Sequence, residues 1–201
     1  ESMKFVFFGK MKKWVGGKDL ILHTIGDIGV DGALYKAMEF CGETIEDLPM
    51  DDRFTMCNMA IEAGGKSGII APDRTTIRYL KSIKNPRRRG LGKSYSSDAD
   101  AKYVETKEYD CRNIEPLVAC PSLPSNVRKA RDLKNVEVDQ VVIGSCTNGR
   151  ISDLEIAAKV LRGKRAKSGV RLIVIPATQK IYLEAVELGL GFERDSILFY
   201  Y

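Results

Sequence analysis

Apolar and polar positions follow two different periods along this chain, and the switches between them outline its elements. Lys4 to Phe8 packs aromatic residues and a valine at strand-like density, which predicts a short β-strand. After the break at Gly16-Gly17, residues Asp19 to Ile28 set Leu20, Ile21, Ile25 and Ile28 at helical spacing. Ala33 to Phe40 reads as a strand or a short buried segment. Asp51 to Ala63 predicts a helix that turns Met56, Met59 and Ala60 inward and stops at Gly64-Gly65. On such a helix Asn58 and Glu62, four residues apart, share a face. Ser67 to Ile70 predicts a buried strand, and Asp73 caps a helix running to about Ile83.

From Asn85 to Asp100 the chain is polar and rich in glycine, serine and arginine, as expected of a mobile surface loop. Pro116, Pro121 and Pro124 then crowd one stretch, which predicts a boundary between domains 1–120 and 121–201. Beyond it strands and helices alternate: strand 138–143, helix 151–162, strand 171–175, helix 178–188, with a last strand at 196–201. That alternation implies α/β architecture with a parallel sheet wrapped by helices. Ligands of such sheets gather at the carboxyl ends of the strands, which places Cys146 and Pro176-Ala177-Thr178 for site chemistry. No internal repeat or low-complexity tract interrupts the pattern.

Composition narrows the classes. At 201 residues the chain has the length of one domain or two small ones, and its 44% apolar and 29% charged residues are ordinary for a globular protein. No apolar run approaches the roughly 18 residues of a membrane span. Phe5-Val6-Phe7-Phe8 is too short for a signal-sequence core, so a cytoplasmic location is expected. Five irregularly spaced cysteines argue against a secreted disulfide framework. The net charge of +5 owes much to Arg87-Arg88-Arg89 with Lys81 and Lys84 nearby. Without interleaved aromatics that run reads as a solvated loop, and no nucleic-acid site is expected.

Candidate chemistry centres on Gly144-Ser145-Cys146-Thr147-Asn148-Gly149-Arg150, between the apolar Val141-Val142-Ile143 and a helical pattern. A thiolate at a helix N-terminus is stabilised by the helix dipole, and thiolates ligate soft metals and iron–sulfur clusters. A single cysteine in a turn is more often a small buried residue, which is the reading for Cys41, Cys57, Cys111 and Cys120. His23, the only histidine, reads as structural or surface. By residue type alone Glu62 is a solvated helix-face carboxylate. Asn148 and Arg150 are as readily a cap and a surface charge as partners of a substrate carboxylate.

The seven-residue run resembles the cluster-ligand motif of the aconitase superfamily. Thr55-Met56-Cys57-Asn58-Met59-Ala60-Ile61-Glu62-Ala63-Gly64-Gly65 is similar to its Asn-and-Glu active-site segment, and Gly29-Val30-Asp31-Gly32-Ala33 to Glu43 to the stretch just upstream. The resemblance runs from about Lys4 to about Gly189. It is nearest to the branch of isopropylmalate dehydratase large subunits, with homoaconitases close behind. It implies an aconitase-like fold of three-layer αβα domains with mostly parallel sheets, incomplete relative to the family. It also implies a hydro-lyase that moves a hydroxyl between neighbouring carbons of a hydroxy-diacid by removing water and adding it back, as in leucine biosynthesis. The cofactor implied is a [4Fe-4S] cluster, with Cys146 as one of three ligands. Glu62 and Asn58 are implied as catalytic, Asn148 and Arg150 as substrate-binding, and a separate small subunit as the carrier of a serine base. The Cys-x-x-Cys pair expected to complete the cluster site is absent, and the residues after Gly189 match nothing in the family. The chain thus reads as a fragment, inactive alone. The contrasting expectation is a catalytically dead scaffold or a basic RNA-binding module.

Overall fold

Strand β1 (Ser2–Phe8) sends Met3, Phe5 and Phe7 to one face, where all three are buried, and Lys4 and Val6 to the other. A computed structural model of the chain describes residues 1–83, 93–145, 147–164, 167–190 and 197–199. Within it β1 pairs in parallel with β2 (Ala37–Cys41) and with β4 (Glu105–Asp110), and β2 pairs in parallel with β3 (Ser67–Ile69). The sheet order is β3-β2-β1-β4. Helix α1 (Gly17–Ile28) buries Leu20, Ile21 and Ile25, three of the four positions its spacing singled out, and leaves Ile28 half-buried. Helices α2 (Glu43–Asp47) and α3 (Met50–Asn58) add Ile45 and Met56 to the same core. Each of these fully buried side chains contributes about 1.5–3 kcal/mol relative to exposure. Phe5, Phe7, Phe40 and Tyr109 stack or tilt against one another at its centre.

The chain divides into two compact units, residues 1–134 and 135–201. The proline-rich stretch therefore lies inside the first unit rather than at a border near residue 120. The reason is local pairing. Strands β5 (Leu117–Ala119) and β6 (Val127–Lys129) form an antiparallel ribbon against α1, with the Val127 side chain packed beside Gly26.

In the second unit β7 (Gln140–Ile143), β8 (Arg171–Val174) and β9 (Ile197–Phe199) form a parallel sheet in that order. Helix α5 (Ile151–Leu161) brings Leu154 against Val174, and α6 (Gln179–Glu187) brings Ala185. Two parallel sheets flanked by helices agree with the α/β organisation expected from the alternating pattern.

Several local expectations change. The segment 51–63 is not one helix: α3 ends at Asn58 and Met59–Ala63 continues as a 3-10 helix. Strand β3 is an edge strand of three residues with Ser67 and Ile69 exposed, not a buried one. Helix α4 (Arg74–Ser82) starts at the expected Asp73 cap, whose carboxylate accepts Thr76 N–H at 3.0 Å. The run Arg87–Arg89 and most of the tail after Gly189 lie outside the described residues. Of the expected loop 85–100, Ser97 is held by donating its hydroxyl to Glu39 at 2.6 Å, beside a similar bond from Tyr103 at 2.7 Å.

Candidate functional site

Glu62 sits on the 3-10 helix that closes α3. Gly64 ends that turn at φ +78°, a conformation that favours glycine, and its N–H bonds to Ile61 O at 2.9 Å. Gly65 N–H closes on Ala60 O at 3.1 Å. Tightening from 3.6 to 3.0 residues per turn alters the side-chain geometry. An α-helix separates positions i and i+4 by about 40°, whereas 3-10 winding separates them by about 120°. Asn58, the last α residue, is accordingly exposed, while Glu62 turns inward. The two candidates do not share a face.

The inward turn places Glu62 on the wall of a cavity of about 490 Å³. The first turns of α1 supply Lys18, Asp19 and Leu22 to it, the 3-10 helix supplies Met59, and β5 closes another side. Glu62 Oε2 is buried and has no hydrogen-bond partner among the described residues. Leaving a buried acceptor unsatisfied costs about 1–3 kcal/mol, more when it is charged, so a group that donates to this oxygen is favoured in the cavity. Asp19 is engaged by contrast: its two oxygens accept Gly16 N–H at 2.9 Å and Leu117 N–H at 2.7 Å. Burial raises the Asp19 carboxyl above the usual carboxylate range, and the two backbone N–H groups oppose that rise. Asp19 thereby ties α1 to β5 and fixes two walls at once. Sequence patterning did not single it out, because an acid in the first turn of a helix is commonplace.

The second unit holds the glycine-bounded motif. Cys146 itself lies outside the described residues, but the loop around it is described. Ser145 N–H donates to Asn148 O at 3.3 Å, and Thr147 is buried. The Asp153 carboxylate on α5 accepts N–H from Gly149 at 2.9 Å and Arg150 at 3.0 Å, with the Asn148 amide at 3.4 Å. Gly144 and Gly149 press against the end of β8. A Cβ added to them would come within 2.0 Å and 2.6 Å of Ile175 O. Ala177 N–H closes the contact by donating to Gly149 O at 2.8 Å. Asn148 and Arg150 are both half-buried in this loop, so their backbone and side-chain bonds shape it whatever else they contact.

The remaining cysteines do not make a cluster site. Burial pushes the Cys57 thiol up to about 11 and raises Cys41 and Cys111 as well, so these sulfurs stay protonated at neutral pH, opposite to what a ligand needs. Among the described residues no three His, Cys, Asp or Glu side chains converge as a metal site. The described residues therefore do not by themselves complete a [4Fe-4S] centre. His23 stacks its edge on Tyr109 at 5.0 Å, and burial lowers its pKa. It belongs to the packing of α1 on β4. Among the described residues no helix is long and apolar enough to cross a membrane.

Comparison with known proteins agrees with both segments. The family model described as Aconitase family (aconitate hydratase) matches residues 1–132 and 126–192. The chain is 61% identical over 191 residues to the 3-isopropylmalate dehydratase large subunit of Thermodesulfovibrio yellowstonii, and 58% over 196 residues to that of Aquifex aeolicus. The one from Clostridioides difficile is 53% identical over 189 residues. Each comparison covers 94% of this chain but 44% of the relative, so the chain spans under half of their length. A crystal structure of Thermococcus kodakaraensis aconitase X in its holo form superposes with a TM-score of 0.50 at 16% identity, over 99% of this chain and 42% of that one. That likeness is one of fold.

Proposed function

This chain belongs to the aconitase family, and on that premise we propose that it forms part of a hydro-lyase large subunit interconverting 2- and 3-isopropylmalate. The observation that carries the reading is the buried, unpartnered Oε2 of Glu62 on a cavity wall, within the segment that resembles the family's active site. Dehydration needs a base that takes the proton from carbon and an acid that gives a proton to the departing hydroxide. Rehydration runs both transfers in reverse, and a carboxyl group can serve in either role. Glu62 Oε2 suits such a role. Among the described residues it has no donor, so its hydrogen-bonding capacity is unspent.

Asn148 and Arg150 are proposed to bind substrate from the motif loop, and Asn58 to act near the reacting centre from its exposed position. Cys146 is proposed as one ligand of a [4Fe-4S] cluster. Its partner ligands are not in the described residues, so no step is assigned to the cluster. A small subunit and a cytoplasmic setting complete the reading, and the 201-residue chain alone is expected to be inactive.

The test is a chimera. Residues 1–189 replace the matching stretch of the Aquifex aeolicus large subunit, which is assayed with the small subunit its name implies. The chimera is expected to hydrate isopropylmaleate within about tenfold of the parent. Glu62→Gln within it should lower kcat by about 10²–10⁴, the usual range for losing a general acid–base group. A folded chimera that turns over no isopropylmalate overturns the reading.

A further inference from the structure

The cavity beside Glu62 contains one cation. Lys18, on the first turn of α1, lines it and forms no ion pair or side-chain hydrogen bond among the described residues. The nearby carboxylate of Asp19 accepts backbone N–H groups at both oxygens and attracts that ammonium through space without a hydrogen bond to it. The rest of the wall is aliphatic: Leu22, Met59, Leu117, Val118 and Pro124. Three features therefore line one space: the Glu62 carboxylate, a cation without a hydrogen-bonded partner among the described residues, and a branched apolar surface.

We infer that Lys18 binds a carboxylate of the substrate in the Glu62 cavity. The ligand chemistry follows from the three features together. A hydroxyl donates to the Glu62 carboxylate, a carboxylate pairs with Lys18 Nζ, and an alkyl branch covers the aliphatic wall. A branched hydroxy-acid carries all three. This inference rests on the proposed isopropylmalate reading and adds to it the residue that would hold one end of the molecule. Lys18 is exposed, so its removal leaves the core intact.

The experiment uses the full 201-residue chain with ¹³C-labelled methyl groups, titrated with 3-isopropylmalate and, separately, with malate. 3-Isopropylmalate is expected to shift the Met59 and Leu117 methyl signals saturably. Lys18→Met should weaken that binding tenfold or more at unchanged melting temperature, while Lys18→Arg should stay within threefold of wild type. If 3-isopropylmalate binds and Lys18→Met leaves its affinity unchanged, the Lys18 assignment falls and the functional reading stands. If malate binds as tightly as 3-isopropylmalate and both are lost in Lys18→Met, Lys18 stands and the isopropylmalate reading falls. If the folded wild type binds neither compound, the Lys18 assignment is overturned.

Discussion

Arg53 is the most heavily committed side chain in the first unit. Only 3% exposed, it donates from Nε to Leu48 O at 2.9 Å and from Nη2 to Glu46 O at 2.8 Å. It also grips both oxygens of Asp73 at 2.7 Å. Removing it strands two carbonyls and a carboxylate, so Arg53→Met should cost at least about 2 kcal/mol in urea unfolding at neutral pH. The guanidinium holds the Asp73 carboxyl down at about 2, against an ordinary value of 3.8. A depressed carboxylate stabilises the fold above its unfolded pKa and stops doing so as pH falls through the folded one. The Asp73 contribution should therefore be complete above about pH 4 and vanish between pH 4 and 2. Asp73→Asn should flatten that part of the stability–pH curve, and an unchanged acid limb would count against the pair. Sequence revealed half of this. Asp73 was legible as a cap because capping is a local signal, whereas its partner twenty residues earlier was not.

At the scale of elements, strand and helix positions were legible wherever a period ran through several residues, as in β1, α1 and α5. Winding was not. The change from α to 3-10 between Asn58 and Met59 falls beside a close fit of β3, where Gly68 meets the Cys57 backbone. Such contacts are non-local and leave no period in the sequence. The ribbon β5–β6 escaped notice because three-residue strands carry too little periodicity to read. Glycines of the motif loop offer a sharper test. Gly144 has φ +99° and no room for a Cβ against Ile175 O, while Gly163 has φ +71° and open space around it. Gly163→Ala should show only the conformational cost of about 1–2 kcal/mol. Gly144→Ala should cost at least about 2 kcal/mol more, read as faster amide exchange in α5.

For the molecule as a whole, the alternating pattern disclosed α/β architecture, and the two sheets match it. The compact units divide after residue 134 and the prolines lie within the first, because prolines mark turns as readily as linkers. The units differ in core. The first buries a continuous cluster from Met3 to Ile114, whereas the described apolar residues buried in the second are Leu154, Leu172, Ile173, Val174 and Ala185. Val142, Ile156, Leu183 and Val186 remain about half exposed. A core that small supplies little net stability. Residues 1–134 expressed alone should unfold cooperatively in urea, and residues 135–201 alone should exchange their amides within minutes. Long-lived protection in the shorter piece would contradict this.

One contact in that second unit carries a lesson for anyone sifting genomes. Asp153 lies three residues past Arg150, outside the run of letters that draws the eye, yet its carboxylate gathers Asn148, Gly149 and Arg150 into shape. A string spelling Gly-Ser-Cys-Thr-Asn-Gly-Arg without an acid at that spacing would be a decoy, with the right spelling and a slack loop. The recognisable word therefore ends at Asp153.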